Sequence, residues 1–168
     1  LVNWRERDYR NVYSAQKNKG GGVLRDLSHE LDYLLFLFGN WKRLVAWGAK
    51  VSELEINAED TIVAMIEFDK CPIVSVELNY TNREIKRSIH MSTANLALNA
   101  DFVSNEIKIN STTNVLSRDV NLNYSEMHNS ILNEDFSLAC SLSEGVRTLR
   151  LIEAIEKSIA IGEWIVNE

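Results

Sequence analysis

The chain has 168 residues, of which 45% are hydrophobic and 25% charged. This composition supports one buried core and excludes the disordered, collagenous and low-complexity classes. A formal net charge of −6 at pH 7 repels nucleic acid and anionic membrane surfaces, so the expected partners are a small molecule and a second copy of the chain.

Residues 1–22 combine Trp4, Tyr9 and Tyr13 with many charges, keep no period, and end in Gly20-Gly21-Gly22. They read as an irregular arm whose glycine run lets the backbone approach a ligand or a neighbouring domain. Trp4, Tyr9, Arg10 and Tyr13 either line a polar pocket or anchor the arm. The spacing predicts a helix over 23–39, with Leu27, Leu31, Leu34 and Phe38 as its core stripe and Asp26, His29, Glu30 and Tyr33 on the opposite side. Phe36 and Leu37 fill the remaining faces, so its last turns should be buried all round before Gly39-Asn40 stops it.

Between 44 and 120 the period changes to two, with runs at 44–52, 60–68, 73–80, 86–92, 95–102 and 105–110, and a weaker one at 114–120. Ile62, Ala64, Ile66 and Phe68 share one face, as do Val74, Val76, Leu78 and Tyr80. Connectors as short as Asp69-Lys70-Cys71-Pro72 and Thr93-Ala94-Asn95 suit an antiparallel meander. The opposite face sets Val63, Met65, Ile73 and Ser75 among Thr61, Glu67 and Glu77; half apolar and without a helix to cover it, it is the expected self-association surface.

The tail, 123–162, holds two predicted helices. One runs from Tyr124 to Ala139 with Met127, Ile131, Leu132 and Phe136, and the other from Leu142 to Ile161. Ser141 and Glu144 form a capping box, Val146, Leu149, Ile152, Ile155 and Ile159 a core stripe, and Gly162 a stop. The order of elements implies an α+β domain: an open, mainly antiparallel sheet of about six strands with helices on one face.

Asp26 and His29 are the constellation that looks chemical, because residues three apart on a helix face each other and a carboxylate can orient an imidazole that moves a proton near neutral pH. The same spacing also suits a solvated helix start in which Asp26 complements the macrodipole. His90 and His128 read as structural or exposed, and no three residues have metal-ligand spacing. The glycine run lacks the preceding strand and the Gly-x-Gly-x-x-Gly pattern of nucleotide loops. Cys71 and Cys140 have neither a metal spacing nor a disulfide framework, which points to a reducing cytoplasm. The longest apolar run, Leu34 to Phe38, is far too short for a membrane helix. The chain opens on Leu1 with no signal-peptide pattern, as a piece of a longer protein would.

The stretch from Gly20-Gly21-Gly22-Val23-Leu24-Arg25-Asp26-Leu27-Ser28-His29-Glu30-Leu31-Asp32-Tyr33 to Phe38-Gly39 resembles the opening of the C-terminal domain of the glucose-fructose oxidoreductase / inositol dehydrogenase (Gfo/Idh/MocA) family. Asp8-Tyr9-Arg10 through Tyr13-Ser14, and Ser143-Glu144-Gly145-Val146-Arg147 through Gly162-Glu163-Trp164, extend the likeness over nearly the whole chain. The resemblance implies a glyceraldehyde-3-phosphate-dehydrogenase-like C-terminal domain that supplies substrate contacts and an open sheet for oligomerisation. NAD or NADP would be bound mainly by an N-terminal Rossmann domain that this chain lacks, along with the family's Glu-Lys-Pro motif. By motif position His29 resembles the proton-transferring histidine and Asp26 the acid before it, with Arg10, Tyr13 and Tyr33 as the expected substrate contacts. Many members space that acid and histidine by four, here by three, which leaves their division of labour open; a glycine-bearing hairpin is usual where Thr93-Ala94-Asn95 stands. The implied substrate is a sugar, sugar derivative or polyol, and the alternative is a ligand-binding or dimerisation module without turnover.

Overall fold

The computed structural model describes residues 8–116 and 119–167. Trp4, expected to help anchor the arm or line a pocket, lies outside the described residues. The chain folds as two compact units, Leu1–Thr81 with Ser141–Glu168, and Asn82–Cys140.

In the first unit, three short 3-10 turns, Tyr9–Asn11, Tyr13–Ala15 and Lys17–Lys19, lead to helices α1 (Val23–Asp26) and α2 (Ser28–Phe38). The expected single helix is interrupted at Leu27, whose backbone leaves the helical region (φ −103°, ψ 26°). Gly39 (φ 83°) ends α2, and the turn after β2 receives it: Asp69 donates its amide to the Asn40 carbonyl and Lys70 to that of Phe38. Strands β1 (Trp41–Ala49), β2 (Thr61–Phe68) and β3 (Val74–Asn79), and β8 (Ile165–Val166) after the last helix, make an antiparallel sheet in the order β3-β2-β1-β8. Its inner face aligns Leu44 with Ile66, Ala46 with Ala64, and Ala64 with Val76. These residues join Leu31, Leu34 and Leu35 of α2 and Leu151, Ile152 and Ile155 of α4 (Leu142–Ile161) in the core.

Helix α4 has the expected bounds, capping box and left-handed Gly162 cap, but its buried face is turned from the predicted stripe. Thr148, Leu151, Ile152, Ala154, Ile155 and Ser158 are buried, whereas Val146 and Leu149 are exposed. Two small polar residues on the buried face have specific partners. Ser158 Oγ accepts from the Ala46 amide of β1 (2.9 Å) and donates to the Glu163 carbonyl (2.7 Å), and the Thr148 hydroxyl donates to Asp32 of α2 (2.7 Å). Gly48 gives α4 room at the end of β1, since a Cβ there would stand 2.8 Å from Ile159 Cδ1. Phe36 is 79% exposed and Leu37 40%, so the end of α2 is not buried all round: the sheet and α4 contact only one side of it.

The second unit is a meander of β4 (Ser88–Ser92), β5 (Ala97–Asp101), β6 (Glu106–Ile109) and β7 (Thr112–Val115), followed by α3 (Val120–Leu132) and a 3-10 turn, Phe136–Leu138. The strands therefore form two four-stranded sheets where one of about six was expected. The break falls at 80–87, a connection too long for a tight turn, and β8 adds a fourth strand to the first sheet. Asn105 (φ 57°) and Asn110 (φ 53°) take left-handed conformations at the hairpin turns, which asparagine tolerates better than most residues. The Asp119 side chain caps α3, so that helix starts earlier than predicted and ends at Leu132. No helix among the described residues is long and apolar enough to cross a membrane.

Candidate functional site

The glycine run is packed rather than free. The amides of Gly21, Gly22 and Val23 donate to the carbonyls of Gln16, Ser14 and Glu59. A Cβ on Gly21 would fall on the backbone of Tyr13, and one on Gly22 on the Glu59 carboxylate. The close approach that these glycines permit is to the chain's own arm and to the loop before β2. This locks the arm against the start of α1 and brings Tyr13 to Asp26.

Asp26 then receives two phenols. The Tyr13 hydroxyl donates to Oδ1 (2.7 Å) and the Tyr80 hydroxyl to Oδ2 (2.8 Å). Tyr80 is buried, and its amide donates to the Asp60 carbonyl (2.8 Å), so its ring is anchored from the sheet. Its sequence signal is its place as the last inward position of the run Val74, Val76, Leu78, Tyr80, where a polar tip at the end of an apolar row marks a buried hydroxyl in search of a partner.

His29, the second residue of α2, has an exposed ring, and its Nε2 lies 3.1 Å from Glu30 Oε1. The Glu30 side chain is only 11% exposed, against 55% for His29, so the expected polar stripe contains one residue that is in fact buried. Asp26 ends α1 and His29 lies in the first turn of α2, so the break at Leu27 takes them off one continuous helical face. Tyr33 is half-buried and packs against the core. Arg10 is engaged by Asp8 (2.7 Å) and by Glu55 (3.1 Å), while the Glu55 amide donates to the Tyr9 hydroxyl (3.2 Å). Arg10 and Tyr9 thus bond within the arm and to the loop before β2, while Tyr13 bonds to Asp26.

Asp60, which the sequence reading missed, has no exposed surface. Its carboxylate accepts from the amides of Val51 (2.9 Å) and Ser52 (3.0 Å) and from the hydroxyls of Ser52 and Thr61. Burial works against the charge, but these donors outweigh it and hold the group below the usual carboxylate range. A separate cleft of about 700 Å³ is lined by residues that include Leu24, Ile62, Ile159, Lys17 and Lys50; Tyr13, Asp26, His29 and Tyr80 do not line it. Among the described residues no three His, Cys, Asp or Glu side chains converge as metal ligands would.

An α+β unit with helices on one face of an antiparallel sheet is the architecture of a glyceraldehyde-3-phosphate-dehydrogenase-like C-terminal domain. Residues 2–96 match the family described as GFO/IDH/MocA C-terminal domain, and the chain belongs to that family. No match was found among curated protein sequences. Among solved structures, the WlbA dehydrogenase from Bordetella pertussis, in complex with NADH and UDP-GlcNAcA, is 20% identical over 88% of this chain and 48% of its own, with a TM-score of 0.68. An oxidoreductase from Agrobacterium radiobacter, in complex with NAD+, L-tartaric acid and magnesium, is 16% identical over 95% and 53%, with a TM-score of 0.73. An oxidoreductase from Thermotoga maritima is 14% identical over 96% and 49%, with a TM-score of 0.78. At these identities the likeness is one of fold, and the chain spans about half the length of these proteins.

Proposed function

We propose that this chain is the substrate-binding and oligomerisation domain of an NAD(P)-dependent oxidoreductase acting on a hydroxyl or carbonyl of a sugar, sugar derivative or polyol. The observation that carries this reading is the group at the junction of α1 and α2, where an exposed imidazole stands a few residues from a carboxylate held by two phenols, within the segment that matches the family. The fold relatives crystallised with NADH and a sugar nucleotide, and with NAD+ and a hydroxy acid, support the class of chemistry. When bound, the nicotinamide supplies hydride transfer. The described residues of this chain do not fit the dinucleotide, because the amides of the one glycine run are spent on internal carbonyls. A further domain would hold it.

In this reading His29 removes or returns the substrate's hydroxyl proton, Asp26 and Tyr13 orient that hydroxyl, Tyr33 lines the approach, and Arg10 fixes the arm. The outer face of the first sheet joins two copies. Trp47, Val63 and Met65 are exposed there, with Ser75 across from Met65 and Glu77 across from Val63. Arg43 bonds Glu67 on the same face (2.7 Å), so the face carries both charges and can complement itself about a two-fold axis.

The deciding experiment is His29→Ala in the full-length protein. Turnover should fall by about 10²–10⁴, the range for a lost general acid or base, while stability stays within about 0.5 kcal/mol because the ring is exposed. Near-normal turnover with early melting would make His29 structural and end the catalytic reading.

A further inference from the structure

The three-residue spacing of Asp26 and His29 leaves open whether they act as one relay, and three observations bear on this. Both Asp26 oxygens accept a phenol, Tyr13 at 2.7 Å on one and Tyr80 at 2.8 Å on the other. The backbone departs from helix at Leu27, so Asp26 closes α1 and His29 lies in the first turn of α2, and they do not share a continuous helical face. The side chain at ion-pair distance from His29 is Glu30, 3.1 Å away and largely buried. A buried carboxylate needs charged or hydrogen-bonding partners to offset its desolvation, and the exposed imidazole is placed to be one of them.

We propose that the labour is divided. Tyr80 is a positioning residue which, with Tyr13, fixes Asp26 as an immobile acceptor, and Glu30 rather than Asp26 is the carboxylate that orients His29. This rests on the reading of His29 and Asp26 as the reactive pair. Donors on separate oxygens stop the carboxylate from rotating and aim its remaining lone pairs in fixed directions, which is what a group that orients a substrate hydroxyl requires. The imidazole, tied to its own acid, moves the proton independently.

The test is carbon and nitrogen NMR of the 168-residue chain at neutral pH, comparing Tyr80→Phe, Tyr13→Phe, Glu30→Gln and Asp26→Asn. Phenylalanine keeps the ring and removes only the hydroxyl, so a mere packing role for Tyr80 would leave the Asp26 carboxyl signal where it is. The expected result is a displacement of that signal in each tyrosine variant and the sum of the two in the double variant, as for independent bonds. Glu30→Gln should displace the His29 ring nitrogens and Asp26→Asn should not. An unmoved Asp26 signal in Tyr80→Phe, or a His29 ring that responds to Asp26→Asn instead of Glu30→Gln, overturns the proposal. If Tyr80→Phe does not fold, the hydroxyl proton of Tyr80 answers in its place. It should exchange slowly with water in the unsubstituted chain and lose that protection in Asp26→Asn, and rapid exchange in both overturns the assignment. None of these signals depends on turnover, so this proposal and the proton-carrier reading can fail separately.

Discussion

At the scale of single residues, Asp60 and Asp26 are carboxylates held by different kinds of donor. Asp60 is structural: four donors, three of them from the segment that leaves β1 and leads into β2, converge on a side chain with no exposed surface. Its native pKa lies below the ordinary value. Its stabilisation is therefore fully present above the unfolded-state pKa of about 3.9 and is lost as the pH falls through the lower native one. Asp60→Asn should cost more than about 2 kcal/mol at pH 7, since hydrogen bonds to a charged group are worth about 1.5–3 kcal/mol each. The gap from the unsubstituted chain should narrow as the pH drops below about 4. Urea unfolding at a series of pH values checks both points, and a gap constant down to about pH 2 would assign the loss to packing. Asp26, by contrast, is marked in the sequence only by its spacing to His29, and its phenol partners are not legible there. Tyr13 and Tyr80 stand 13 and 54 residues away in the chain, and no local pattern connects them.

At the scale of elements, the features that depend on near neighbours in sequence appear as read. The capping box of α4, its Gly162 stop and the inward rows of β2 and β3 are in this group. The misread features are those decided by which side of an element meets another. Val146 and Leu149 are the more apolar choice for the buried side of α4, yet Thr148 and Ser158 take that side because each finds a specific partner, in Asp32 and in the Ala46 amide. Strand β8 is only two residues long and reaches as far as Leu44, so Ser158 supplies the bond that the sheet edge lacks at Ala46. Ser158→Ala should leave that amide and the Glu163 carbonyl unpaired and cost about 1–3 kcal/mol. Ser141→Ala, which removes only the helix cap, should cost about 1 kcal/mol. Denaturant midpoints rank the two, and an equal or reversed order would mean that water replaces Ser158 without penalty.

At the scale of the whole molecule, the outer face of the first sheet and the internally bonded glycine run set the expectations. Val63 and Met65 are 42% and 48% exposed at neighbouring outward positions of β2, and Val45 and Trp47 face them across β1. If this face pairs two copies, light scattering should show a dimer, and Val63→Asp with Met65→Asp should give a monomer whose circular dichroism is unchanged. A monomer at high concentration without the substitutions would remove the oligomerisation role. With its glycine-run amides used internally, the chain alone should not quench NADH fluorescence at micromolar concentration, and saturable quenching would locate a cofactor site within these residues.

The sequence by itself determined the features that depend on the chain's own periodicity and local chemistry. These include the α+β class, the antiparallel pairing, the bounds of α4 and, through the family resemblance, the family to which the chain belongs. Only the tertiary structure decided the break at Leu27, the burial of Glu30, the pairing of Tyr80 with Asp26, the rotation of α4 and the division of the strands into two sheets. For the buried polar groups the physical reason is shared. Periodicity shows that a residue has an apolar or polar side, whereas the partner that satisfies a buried hydroxyl, amide or carboxylate comes from a distant part of the chain, and the free energy of that one bond outweighs the small preference expressed by the local pattern.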